Sequence, residues 1–113
     1  MSIDYDLSES EEKAITETIK DLDCRPLFVE VLADGFDLYQ VNVEVMLAKS
    51  NIVVEMGLEV RKRKWVGYAE IINTNQKKPF SFPTEGRLGA DAVYKVLDTI
   101  LATRKISYDL NYL

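Results

Sequence analysis

The chain of 113 residues contains no histidine, and it contains a single cysteine. Without histidine, neither a Ser-His-Asp triad nor a Cys-His pair can form within the chain, and no histidine can bind a metal ion. Without a second cysteine no internal disulfide can form, which is typical of a reducing compartment. Asp21 and Asp23 beside Cys24 disfavour a reactive thiolate. The sequence therefore predicts no enzyme, no cofactor and no metal site, and a structural role for Cys24.

Long apolar runs are also missing. None approaches the roughly 20 residues that a membrane-spanning helix needs. The first residues are acidic and lack the basic start and apolar core of a signal peptide. Hydrophobic residues make up 47% and charged residues 29% of the chain, which is the composition of an ordinary globular domain. We therefore expect one cytoplasmic domain, residues 1–113, that does not enter a membrane.

Two segments have the apolar spacing of amphipathic helices. The first is predicted over residues 8–22, after a loose leader at 1–7, because Ser8 and Glu11 have the spacing of a capping box. The second is predicted over residues 89–104. Its apolar stripe consists of Val93, Leu97, Ile100 and Leu101. Both helices are expected to pack on a sheet.

Between these helices, apolar and polar residues alternate as in strands with one buried face. Four strands are predicted, at residues 27–33, 36–48, 52–61 and 65–74. Phe80 and Phe82 form either a short edge strand or a cover over the core, and the alternation at 106–112 predicts a short terminal strand. The predicted fold class is two-layer α+β: an N-terminal helix, an antiparallel four-stranded meander, a C-terminal helix and a short terminal strand.

The segment from Gly86 to Asp98 resembles the loop and helix of the regulatory domain of isopropylmalate synthase and related acyltransferases. That family has Gly-Asn-Gly-Pro-Val-Asp-Ala before an amphipathic helix, and the matching positions here are Gly86, Asp91 and Ala92. Leu88 stands at the second glycine of the motif and Gly89 at its proline. Residues 108–112 are similar to the tyrosine-containing strand that follows the helix in that family.

The resemblance implies a dimeric domain that binds the end-product amino acid of its pathway, present here as a stand-alone half that pairs with a second copy. The implied ligand-binding residues are Gly86, Leu88, Gly89 and Asp91. The unpaired terminal strand predicts a dimer interface at Tyr108, Leu110 and Tyr112. We therefore expect a non-catalytic regulatory or interaction domain, homodimeric, with a small metabolite such as an amino acid as its ligand.

The uneven charge leaves two alternatives open. Residues 61–87 carry seven basic and two acidic side chains, although the net charge of the chain is −5. With interleaved aromatic residues, this segment is consistent with nucleic-acid binding, and the order helix–meander–helix resembles that of double-stranded-RNA-binding domains. The contact residues would be Arg61, Lys62, Arg63, Lys64, Lys77, Lys78 and Arg87. Because residues 1–60 are strongly acidic, the third interpretation is an acidic inhibitor or adaptor that occupies a basic groove on another protein.

Overall fold

The computed structural model describes the backbone of residues 2–34, 37–47, 50–84 and 89–112, and side chains within residues 8–33, 40–47, 50–84 and 89–103. A long helix begins the fold, five strands follow, and a second long helix ends it. In chain order the elements are α1 (Ser2–Asp21), β1 (Arg25–Asp34), β2 (Asp37–Met46), β3 (Val53–Arg61), β4 (Lys64–Ile71), β5 (Lys77–Pro83) and α2 (Gly89–Tyr112).

The strands form one antiparallel sheet in the order β1-β2-β3-β4-β5, so each strand pairs with its neighbours in sequence. The predicted α+β class, with a helix at each end of an antiparallel meander, is confirmed. The sheet has five strands rather than four because residues 77–83 pair with β4 along their whole length. Phe82 on this fifth strand is buried, and Phe80 packs against the core.

One face of the sheet packs against both helices. Along β3, buried residues alternate with half-buried ones, as the sequence predicted. The buried side chains of the strands and of both helices form one apolar cluster, so α1 and α2 lie on the same face. Its members are Ile15, Ile19, Cys24, Val31, Val41, Val43, Val45, Leu47, Val54, Met56, Leu58, Trp65, Ala69, Phe82, Ala92, Val93, Val96 and Leu97. The opposite face carries neither helix.

Helix α1 begins at Ser2, so residues 2–7 belong to the helix rather than to the predicted loose leader. No glycine or proline precedes Pro26, and an acidic residue such as Asp4 is favourable close to a helix N-terminus. Ser8 therefore lies inside the helix. It cannot cap the N-terminus there, and the predicted capping box with Glu11 does not form.

The predicted terminal strand at 106–112 is wrong, because these residues continue α2 to Tyr112. No glycine or proline occurs between Gly89 and the end of the chain. The spacing of Ile106 and Leu110 fits a helical turn as well as a strand, so the alternation alone was ambiguous. Since nothing in the sequence stops α2, the helix does not end near Arg104 as predicted.

Both edges of the sheet are poorly suited to pairing with another strand. The N–H of Thr84 donates to the carbonyl oxygen of Arg63 (3.1 Å), so even-numbered residues of β5 direct their backbone groups towards β4. The backbone groups of the odd-numbered residues point away from β4, towards the free edge of the sheet. These residues include Pro79 and Pro83, and proline has no N–H to donate to another strand. At the other edge, the N–H of Val31 donates to Oε1 of Glu12 on α1 (3.4 Å).

Candidate interaction surface

The face of the sheet opposite the helices, here called the outer face, carries the polar residues of the strands. The strand register places them in rows that run across the sheet from β1 to β5. Three successive rows are Phe28, Glu44, Glu55, Glu70 and Lys77; Glu30, Asn42, Gly57, Tyr68 and Pro79; and Leu32, Gln40, Glu59, Val66 and Ser81. These rows define which side chains a partner would meet together.

Three glutamates occupy directly opposed positions on neighbouring strands. Glu44 on β2 faces Glu55 on β3, and Glu55 faces Glu70 on β4. We call these three residues the glutamate row. Like charges directly opposite each other destabilise a sheet. All three glutamates are half-buried, and within the described residues neither Glu44 nor Glu70 makes a hydrogen bond or an ion pair. The row therefore concentrates negative charge at one place on the outer face.

Tyr68 lies beside the glutamate row and donates a hydrogen bond from its hydroxyl to Oε1 of Glu55 (3.1 Å). Partial burial raises the pKa of the Tyr68 phenol, and the hydrogen bond to Glu55 and the negative charges of Glu55 and Glu70 raise it further. The Nζ atom of Lys77 lies 4.1 Å from the centre of the Tyr68 ring. Lys77 therefore contacts the aromatic ring, although its register partner is Glu70.

A side-chain network across the next two rows orients the polar groups of the outer face. Nδ2 of Asn42 donates to Oε1 of Glu30 (2.9 Å), and Nε2 of Gln40 reaches Oδ1 of Asn42 (3.4 Å). Gly57 lies between Asn42 and the Tyr68 ring, and a Cβ atom there would be 3.3 Å from each of them. The absence of a side chain at Gly57 allows the tyrosine ring to lie across β3.

A large aromatic side chain is exposed at the β1 end of the outer face. Phe28, which shares its row with the glutamates, is 47% exposed, and its neighbour Leu27 is 42% exposed. The register of β1 shifts between Pro26 and Phe28, which is the mark of a β-bulge. The glutamate row is thus flanked by lysine at one end and by an exposed aromatic ring at the other.

The predicted basic site divides between two ends of the sheet. Arg61, Lys62, Arg63 and Lys64 form the tight β3–β4 turn, with positive φ of 50° at Lys62 and 63° at Arg63. Lys77 and Lys78 pair with residues at the opposite end of β4. Glu70, the partner of Lys77, is six positions along β4 from Lys64, which is about 20 Å. Arg87 lies outside the described residues.

Two aromatic residues of this segment are too deeply buried to stack on bases. Trp65 is 1% exposed and Phe82 is 5% exposed, so both belong to the core. Lys78 and Lys95 place their ammonium groups over the rings of Phe80 and Phe82, respectively. Of the seven predicted nucleic-acid contacts, the six that the structure describes therefore fall into two groups at opposite ends of β4.

The predicted ligand-binding residues lie around the start of α2. Gly86 and Leu88 lie outside the described residues, Gly89 is buried, and Asp91 is exposed beside a shallow groove lined by Tyr94, Lys95, Asp98 and Thr99. The N–H of Ala90 donates to Oε1 of the buried Glu11 (3.4 Å). A helix N-terminus attracts anions, and here a carboxylate of the chain itself occupies that position.

Tyr108, Leu110 and Tyr112, the predicted dimer interface, lie on the last turns of α2 rather than on a strand. Their side chains lie outside the described residues. With both sheet edges obstructed, no strand pairing between two copies follows from the described part of the fold. The prediction of a homodimer rests on the sequence alone.

In the described ranges, no three acidic or cysteine side chains are arranged to hold a metal ion. Cys24 is buried, and its Sγ atom lies 3.6 Å from the carbonyl oxygen of Leu22. Neither α1 nor α2, as far as the structure describes them, is long and apolar enough to cross a membrane.

Comparisons with known proteins give no further assignment. No family model, no curated protein and no solved structure matches the chain.

The sequence indicated part of the outer face but not its central feature. The alternation within β3 is enough to put Glu55 and Glu59 on one strand face, whereas the glutamate row was missed because it joins three strands. A two-residue turn at Lys62-Arg63 fixes the register of β3 on β4, and this register puts Glu55 opposite Glu70. The length of this turn was the signal that could have identified the pairing of Glu55 with Glu70 within the glutamate row.

Proposed function

We propose that this chain is a non-catalytic interaction domain that binds a positively charged protein segment on its outer face. The glutamate row carries the proposal. Its three carboxylates repel one another in the free protein, and a cationic partner would relieve that repulsion. This is the adaptor or inhibitor role that the acidic first half of the chain suggested.

The exposed apolar residues favour a protein segment over a small cation. Phe28 lies at the end of the same row, so one partner segment can contact the glutamates and the phenyl ring together. Interfaces typically combine aromatic anchors with surrounding polar groups. A free amino acid is too small to span the row from Phe28 to Glu70.

The other interpretations receive less support from the geometry. Nucleic acid would meet the acidic outer face, and the basic residues are separated by about 20 Å along the sheet. A metabolite at the α2 N-terminus would compete with Glu11. On α1, Glu11 is only 4% exposed and already accepts a hydrogen bond from Ala90, so its charge is not offered to a partner. The cytoplasmic location remains a prediction.

Affinity capture with three matched forms of the protein tests the proposal. The wild type is compared with E44Q/E55Q/E70Q and with E9Q/E17Q/D98N, which removes the same number of charges from exposed positions on the helices. Captured proteins are identified, and each candidate is purified and bound again to the three forms in defined buffers. Duplex RNA is added in parallel, at low salt, as a competitor and as a ligand.

We expect a protein with a basic segment to bind the wild type and E9Q/E17Q/D98N and to be lost from E44Q/E55Q/E70Q. Binding should weaken as salt rises, because exposed charges are screened. Three forms that capture the same proteins, or that capture none, would contradict the proposal. Duplex RNA that binds all three forms equally would instead favour nucleic-acid binding by the basic segment at 61–87.

A further inference from the structure

We infer that the bound segment is an α-helix that lies across the strands, with basic side chains at positions i, i+4 and i+7. This inference rests on the proposed function and specifies the conformation and spacing of the partner. It follows from what the outer face offers a ligand and from the spacing of the strands that carry the glutamates.

A sheet face presents side chains, since the backbone groups of its strands are already paired within the sheet. A segment that docks on such a face receives few backbone hydrogen bonds from it. Buried backbone groups must nevertheless be satisfied. A helix satisfies its own backbone groups, whereas a single extended segment does not. An extended segment would instead pair at an edge, and both edges are obstructed by Pro79 and Pro83 on β5 and by Glu12 beside β1.

The spacing of the glutamate row matches a helix. Neighbouring strands lie about 4.8 Å apart, so Glu44 and Glu70 are about 10 Å apart across the sheet. Residues i and i+7 of a helix are separated by about 10.5 Å along its axis, and i+4 lies between them on the same face. In an extended chain, residues on one face are about 7 Å or 13 Å apart. Neither distance matches the spacing of about 4.8 Å between neighbouring strands or of about 10 Å across two strands.

The row also determines which end of the helix is apolar. Phe28 follows Glu44 at the β1 end, and Lys77 follows Glu70 at the β5 end. A helix with its three basic residues over the glutamates therefore places its next turn over the exposed phenyl ring at one end. At the other end, Lys77 disfavours a fourth basic residue. The partner is expected to be an amphipathic helix whose basic run is followed or preceded by a large apolar residue.

Synthetic peptides of about five helical turns, built from alanine, glutamine, three lysines and one leucine, test this inference. The first peptide has lysines at i, i+4 and i+7 and leucine one turn beyond. The second has the same composition with lysines at i, i+2 and i+4. A third carries a proline in the centre of the first sequence, which breaks the helix. Circular dichroism verifies that the first two peptides are equally helical, and calorimetry at low salt measures their affinities.

We expect the first peptide to bind about tenfold more tightly than the other two, as three aligned charge pairs allow. Glu55→Lys should abolish the binding of the first peptide, and replacing its central lysine by glutamate should restore it. If all three peptides bind equally and E44Q/E55Q/E70Q loses this binding, the inference of a helical partner is wrong. The proposed function would still hold in that case. Binding that E44Q/E55Q/E70Q does not change, or no binding of the first peptide, would also overturn the inference.

Discussion

The two faces of the sheet are made from the same strands but from opposite kinds of residue. On β3, Val54, Met56 and Leu58 are at most 1% exposed and pack against the helices, whereas Glu55 and Glu59 alternate with them on the outer face. Burial of apolar area stabilises the first face. On the second face, glutamates oppose one another across three strands. The difference indicates that the inner face maintains the fold and that the outer face is available for another role.

Neighbouring residues on β3 give the largest contrast between the faces. Leu58→Ala should lower the free energy of unfolding by about 3 kcal/mol, because it leaves a cavity in the core. Glu59→Ala should lower it by less than about 0.5 kcal/mol, because its 2.9 Å ion pair with Arg61 is solvent-exposed. Chemical denaturation measures both values. Similar losses in the two variants would contradict the division between the faces.

Two glycines distinguish the faces in a different way. A Cβ atom at Gly67 would collide with the backbone carbonyl oxygen of Gly57, which cannot move without breaking the sheet. We expect Gly67→Ala to lower the free energy of unfolding by about 2 kcal/mol or more. Gly57→Ala meets only side-chain atoms of Asn42 and Tyr68, so its cost should stay below about 1 kcal/mol. Thermal unfolding compares them, and a larger loss at Gly57 would be inconsistent with the packing described.

Much of the inner face could be predicted from the sequence, because alternation assigns residues such as Val43 and Met56 to a face without any knowledge of register. Which residues become neighbours on the outer face depends on the register between strands. The sequence of residues 47–52 does not determine the register between β2 and β3. The ends of the helices were also difficult to predict. Glu11 was assigned to a local cap, but its carboxylate contacts Ala90, 79 residues away, and such a contact has no local signal.

A single glutamate tests whether the outer face is optimised for stability. Glu44→Gln removes one charge opposite Glu55 and keeps the shape of the side chain. We expect it to raise the free energy of unfolding by about 0.5 kcal/mol at low salt, with a smaller gain at high salt. Glu17→Gln on α1 is the control for the loss of one exposed charge. A destabilised Glu44→Gln would mean that the row contributes to folding.

The smallest effect concerns Tyr68 at high pH. Its pKa is raised in the folded protein, so the fold favours the protonated phenol. That contribution is complete below the unfolded pKa of about 10 and is lost as the pH rises through the folded value. The wild type should therefore lose stability relative to Tyr68→Phe as the pH rises above 10, and Tyr94→Phe is the control for an exposed ring. Parallel profiles for wild type and Tyr68→Phe would contradict this assignment.

The most direct test of the account is to map backbone amide chemical shifts of the isotope-labelled protein while the peptide with lysines at i, i+4 and i+7 is added. We expect shifts confined to β2, β3 and β4 around Glu44, Glu55 and Glu70, extending to Phe28 on β1. The amides of α1 and α2 should remain unchanged. Shifts centred on the helices or on the turn at Lys62 and Arg63 would contradict the central claim that the outer face is the binding surface.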